Sequence, residues 1–240
     1  MATRQLIFQQ VYSHLKPIIP GQDKYQFFED NATVEDNRIV TLTEHEIIKW
    51  VFENKFTQEY FIQQTTKLES VQYALEVQKP IIEFGQKPGD VDILMWPKGQ
   101  PNLAVAIECK RAKVSIAPDG KEKANRLSEI TKGIRQAKQL RELGFHKSYL
   151  LIFILTDGQH KKKVNSFFRY SDAETIKEIY NIPWHEELHE DVGVIYVQIT
   201  QPSGLSYDSM YGFGICMDKE AKELEQSLSI TKKINKILCP

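Results

Sequence analysis

At 240 residues, 41% of them hydrophobic, the chain is long enough to bury a sizeable core as one domain. Its 31 basic and 32 acidic side chains cancel to a formal charge of −1, which excludes the global positive field of a histone-like protein, so any contact with a polyanion has to be local. Cys109, Cys216 and Cys239 are too few and too scattered for a disulfide framework or a Cys-x-x-Cys zinc site, and no stretch approaches the ~20 apolar residues of a membrane span.

With no signal-peptide pattern in MATRQLIFQQVYSHLKPIIP, a soluble cytoplasmic protein is expected. The amphipathic pattern from Leu6 to Leu15, closed by Pro17 and Pro20, predicts a helical extension at the N-terminus. Thr43 then opens TEHEIIKWVFENKF with Glu46 three residues on, a capping-box spacing, and Ile47, Ile48, Val51 and Phe52 follow helical periodicity; a helix over about 44–56 results. EYFIQQTTKLESVQYALEV continues helically, but Val71 to Val77 reads equally well as a strand.

After the turn signal KPGD come two apolar runs, VDILMW and LAVAIECK, joined by PKGQPN, which predicts a hairpin. Residues 121–143 carry apolar side chains at 127, 130, 134, 137 and 140 with Gly144 as terminator, the pattern of an amphipathic helix. KSYLLIFILTDG reads as a strand buried on both faces, a short helix follows near 173–180, DVGVIYVQIT is another strand, and KEAKELEQSLSITKKINKIL supplies a C-terminal helix. The order implies one domain over 1–240, core about 44–200, with a three-layer α/β fold whose central mixed sheet is flanked by helices.

Chemistry concentrates in the hairpin. Alternation puts Ala104, Ala106, Glu108 and Lys110 on one face of the second strand and Leu103, Val105, Ile107 and Cys109 on the other, the expected core face. On the first strand Asp90, Asp92, Leu94 and Trp96 share a face, so a suitable register brings Asp92 beside Glu108. Two converging carboxylates repel unless a divalent cation joins them, and Mg²⁺ favours such oxygens. An adjacent lysine can hold an attacking water and offset charge, and near a metal its proton affinity is expected to fall. The opposing reading is an exposed ion pair on an edge strand, worth little.

GDVDILMW followed by AIECKRA resembles the signature of the PD-(D/E)xK nuclease superfamily, whose fold is restriction-endonuclease-like. The resemblance covers about residues 44–158 and implies Asp92 as the first acid, with Asp90 as substitute because the literal Pro-Asp is missing, and Glu108 and Lys110 as the E-x-K pair. It implies Mg²⁺ or Mn²⁺ held by Asp92, Glu108 and the Cys109 carbonyl, a supporting acid from the preceding helix, Glu44 rather than Glu46, and a supporting amide at Gln136. Leu140 stands where some branches carry an aromatic residue.

The implied activity is hydrolysis of DNA phosphodiester bonds, in restriction or defence or in repair or recombination, with a homodimer to cut both strands. The alternative is a non-catalytic nucleic-acid-binding module of the same fold. Candidate phosphate contacts are Arg111, Lys113, Lys132, Arg135, Lys138, Arg141 and Lys161 to Lys163. His185, Glu186 and His189 spell H-E-x-x-H, but the segment is short, acidic and lacks a third ligand, so a polar turn is expected there. Tyr207, Tyr211 and Phe213 are expected to pack under a loop, with base stacking as the alternative. No phosphate loop or nucleophile elbow is present, and no nucleotide cofactor is implied.

Overall fold

The computed structural model describes residues 9–14, 42–53, 55–67, 70–116, 121–156, 173–185, 188–200 and 210–238. Strands β1 (Gln9–His14), β2 (Val71–Val77), β3 (Val91–Pro97), β4 (Val105–Ile116), β5 (Glu122–Asn125), β6 (Lys147–Thr156), β7 (Gly193–Thr200) and β8 (Met210–Lys219) form one mixed sheet. Its order is β1-β8-β7-β6-β4-β3-β2, with β5 adding to the outer half of β4. The helices are α1 (Glu44–Glu53), α2 (Lys55–Thr66), α3 (Leu127–Leu143), α4 (Ala173–His185) and α5 (Leu228–Leu238). No described helix is long and apolar enough to cross a membrane.

Continuous apolar strands let both faces be covered, and the long run KSYLLIFILT shows how. Tyr149, Leu151, Phe153 and Leu155 of β6 join a core with α1 and α2, while Leu150, Ile152 and Ile154 join another with α3 and α4. On this second face a further cluster gathers Leu94, Trp96, Ala104 and Ala106 under Leu140 and the α5 residues Ile230 and Ile234. The result is three layers, helix on sheet on helix. Ala104 and Ala106 are fully buried, so the strand carrying Glu108 has two core faces rather than the one expected from its alternation.

The sequence-based expectations are corrected at four places. The N-terminal segment contributes a strand, β1, antiparallel to β8, because an edge of that strand is open to backbone pairing. Residues 122–125, expected to begin the long helix, form β5 and pair with Lys113 to Ile116 of β4, so the helix starts at Leu127. The C-terminal helix, expected over 219–238, starts only at Leu228, while the run at 71–77, which read equally well as a strand, is one, paired with β3. Residues 210–214, expected as part of a loop over 203–214, belong to strand β8, and Phe213 is a core side chain 1% exposed; Tyr207 lies outside the described residues.

The capping box forms as expected: the Thr43 N–H donates to Glu46 Oε2 at 2.6 Å and the Glu46 N–H to Thr43 Oγ1 at 3.2 Å. α4 ends at His185, so the H-E-x-x-H residues do not share one helix; His189 instead accepts the Asp191 N–H at 3.2 Å, and Glu186 lies outside the described residues.

Candidate active site

The site sits at a break in the sheet. β3 pairs with β4 through Val105 to Ile107, and β5 takes up pairing at Lys113, so among the described residues positions 108–112 of β4 have a strand partner on the β6 side alone. Ile93 faces Ile107 and Leu94 faces Ala106, and one further step of the same register sets Asp92 opposite Glu108, as the hairpin reading requires. Instead of a ladder bond, the Cys109 N–H donates to Asp92 Oδ2 at 2.6 Å. On the far side of Asp92, Glu76 has φ of 52°, which interrupts the β2–β3 ladder between Leu75 and Val77. Its Oε1 contacts His45 Nδ1 on α1.

Lys110 lies at the centre. Its Nζ donates to Glu108 Oε1 at 2.6 Å, to the Cys109 carbonyl at 2.6 Å and to Glu44 Oε1 at 3.1 Å. Glu108 is 1% exposed and Lys110 7%, so the pair is not the exposed edge-strand couple of the opposing reading. The lysine stem passes beneath Gly133 of α3, where a Cβ would stand 2.4 Å from Lys110 Cγ and 2.9 Å from Leu150 Cδ1. Only a glycine lets that helix close over the site.

The electrostatics are those of carboxylates held against their preference. Burial, opposed by the Cys109 N–H and Lys110, pushes Asp92 up to about 7. Burial and the neighbouring Asp92 charge push Glu108 up to about 8. Burial also raises Glu44, although Lys110 pulls the other way. Glu108 Oε2 is buried without a hydrogen-bond partner among the described residues. For Lys110, burial opposes the charge, but Glu108 and Glu44 outweigh it and hold its pKa above that of an ordinary lysine. Glu108, Glu44 and Asp92 together keep the proton on Lys110.

Among the described residues no group of three or more His, Cys, Asp or Glu side chains is arranged to hold a metal ion. The donors here are of another kind: two carboxylates and the Cys109 carbonyl, whose shared neighbour is the Lys110 ammonium. An orphaned buried carboxylate oxygen and two carboxylates with strongly raised proton affinity fit a hard divalent cation.

Of the remaining sequence-derived candidates, Glu44 is in place, through its contact with Lys110. Asp90 is close enough to raise Asp92, but the hydrogen bond to the Cys109 N–H and the place opposite Glu108 belong to Asp92. Gln136 is half-buried on α3, three residues past Gly133, and no described hydrogen bond ties it to Lys110. Arg111 is 6% exposed, a correction to its reading as a surface phosphate contact, because β4 is covered on both faces at that point. Lys113 is half-buried within the β4–β5 pairing; Lys132 is ion-paired to Glu129 at 2.7 Å; Arg135 is exposed on α3; Lys161 to Lys163 lie outside the described residues.

Sequence reading missed Gly133, Glu76, His45 and Arg126, the left-handed residue that starts α3 with φ of 66°. Gly133 carried a signal, since a glycine inside an otherwise strong amphipathic helix costs about 1 kcal/mol and calls for a packing reason.

No protein-family model matches the chain, and no curated protein is similar to it in sequence. A solved structure of SfsA from Pyrococcus furiosus, in complex with Ca²⁺, matches over 70% of this chain at 14% identity with a TM-score of 0.30. The chain matches 63% of the length of that structure. Any functional reading rests on the site's own geometry.

Proposed function

We propose that this chain is a divalent-metal-dependent nuclease of the PD-(D/E)xK kind, hydrolysing DNA phosphodiester bonds. One observation carries the reading: two buried carboxylates, Asp92 and Glu108, stand on adjoining antiparallel strands at a break in pairing, with the Lys110 ammonium between Glu108 and Glu44. The succession α1, β2–β3–β4, α3 and the parallel β6 supports a restriction-endonuclease-like arrangement of the three layers.

Asp92, Glu108 and the Cys109 carbonyl would hold Mg²⁺ or Mn²⁺, which when bound polarises the phosphorus centre and stabilises charge on the leaving oxygen. The protein's own groups do the rest. Lys110, kept protonated by Glu108 and Glu44, positions the attacking water and offsets the extra negative charge of the pentacovalent transition state. Glu44 fixes the ammonium from the helix side, and Gly133 holds the lysine stem down on the sheet. Cutting both strands of a duplex calls for two such sites, which a homodimer would supply.

The test is nicking of supercoiled plasmid with Mg²⁺ or Mn²⁺, comparing wild type with Asp92→Ala and Lys110→Ala. Each variant is expected to lose at least about a hundredfold in rate. Equal activity in all three overturns the assignment. DNA binding without cleavage under every divalent metal points instead to a non-catalytic module.

A further inference from the structure

The segment between β2 and β3 leads straight into the acid pair and is firmly anchored. Ile81 and Ile82 are buried in the cluster that holds Leu94, Ala106 and the α5 residues Ile230 and Ile234, so the loop folds onto the face of the sheet that also carries Glu108. Lys233 of α5 clamps it, donating to the Ile81 carbonyl at 3.0 Å and to Glu83 Oε1 at 3.1 Å. Glu83 to Gln86 then close a β-turn: the Gln86 N–H donates to the Glu83 carbonyl at 3.0 Å, and the Gln86 side chain accepts the Glu83 N–H at 3.1 Å. Gly85 supplies the positive φ, 78°, that the third residue of a type II turn requires.

The turn is pinned at its base, yet its tip is Phe84, 98% exposed. A phenylalanine left in water forgoes the stabilisation its burial would bring, and the fold makes no use of this one. The space beside Gly85 is open, and the next most exposed aromatic side chains, Phe56 and Trp184, are each more than half covered at 44%. Glu83, Gln86 and Lys87 surround the ring with polar groups, so its apolar area is far short of the about 800 Å² per partner of a standard protein interface. Lys79 and Lys87 are exposed on either side of the turn, and Phe84 precedes Asp92 by only eight residues. A fixed, isolated aromatic ring between lysines, on the site's own face of the sheet, has the character of a platform on which a nucleobase stacks.

We propose that Phe84 stacks on an unpaired base of the strand held at Asp92 and Glu108, which makes single-stranded or locally opened DNA the preferred substrate. Within an intact duplex each base face is already covered by its neighbours, so the ring finds nothing to stack on; in a single strand every base offers a π-face. Lys79 and Lys87 supply beside the ring the local attraction for phosphates that a chain of net charge −1 lacks as a whole. The substrate class rests on the nuclease reading, but the stacking itself is measured without turnover.

The test is binding of a fluorescein-labelled oligothymidylate, and of a blunt duplex of the same length, to the full chain by fluorescence anisotropy, in EDTA and in Ca²⁺. Wild type is expected to favour the single strand. Phe84→Ala and Phe84→Leu are each expected to weaken single-strand binding about tenfold, Phe84→Trp to keep or tighten it, and none of the three to alter duplex binding. Because the ring is almost wholly in water, urea unfolding of Phe84→Ala is expected to match wild type, so a lost affinity is not a lost fold. Wild-type single-strand affinity in Phe84→Ala or Phe84→Leu overturns the proposal, as does equal wild-type affinity for both probes or for neither. A dimer in sedimentation that Phe84→Ala dissolves, with strand affinity unchanged, gives the ring to a second copy and overturns it too. If the single-strand losses appear but no DNA is cut with any divalent metal, the stacking ring stands and the nuclease reading falls. If plasmid is cut with Mg²⁺ while Phe84→Ala binds the single strand as wild type does, the nuclease reading stands and the platform falls.

Discussion

Glu108→Gln tests the electrostatics of the site independently of any turnover. A folded carboxyl with a raised pKa keeps its proton where the unfolded chain has released it, so stability is fully present below about pH 4 and is lost as pH rises through the folded values. For Asp92 and Glu108 those values are about 7 and about 8. Raising Glu108 from 4.5 to about 8 corresponds to about 5 kcal/mol at 1.36 kcal/mol per pH unit. The amide gives part of this back, because a charge-assisted hydrogen bond to Lys110, about 1.5–3 kcal/mol, is lost. The expected outcome in urea unfolding with EDTA is a variant about 2 kcal/mol more stable than wild type at pH 8.5, or about 4–8 °C in Tm, with no advantage at pH 5. Mg²⁺ is expected to return stability to wild type at pH 8.5 and not to the variant. A variant equally destabilised at both pH values would refute the claim that the site is held together against charge repulsion.

Three further outcomes are expected. Gly133→Ala gains about 1 kcal/mol of helix propensity but drives a Cβ into Lys110 Cγ and Leu150 Cδ1, an overpacking cost of about 1–3 kcal/mol; nicking is expected to fall at least tenfold, and a stabilised, fully active variant speaks against the lysine's seat. Gln226→Leu removes the acceptor of the buried Ala104 N–H and the donor to the Pro101 carbonyl, at 2.8 and 2.7 Å, costing about 1–3 kcal/mol in denaturant unfolding while leaving metal-dependent cleavage per folded molecule unchanged. Glu46→Ala breaks the capping box of the helix that presents Glu44 and is expected to cost about 1 kcal/mol, with a smaller loss of nicking rate than Glu44→Ala.

Local periodicity made several features legible before any tertiary contact is considered. Alternation along VDILMW and LAVAIECK gave the hairpin and the shared face of Asp92, Glu108 and Lys110; the Thr43–Glu46 spacing gave the start of α1; and the 3.6-residue pattern gave the body of α3. Glu44 was legible for the same reason, because helix geometry fixes which side chain of TEHE turns toward the sheet. The remaining features follow from contacts between distant segments. Whether residues 9–14, 71–77 and 210–219 are strands depends on open sheet edges that lie far away in sequence. The charge state of Lys110, the burial of Arg111 and the seat at Gly133 depend on helices packing over both faces of β4. Burial and Coulomb interactions act through space, and the groups that set them here are brought together by chain segments up to sixty-six residues apart.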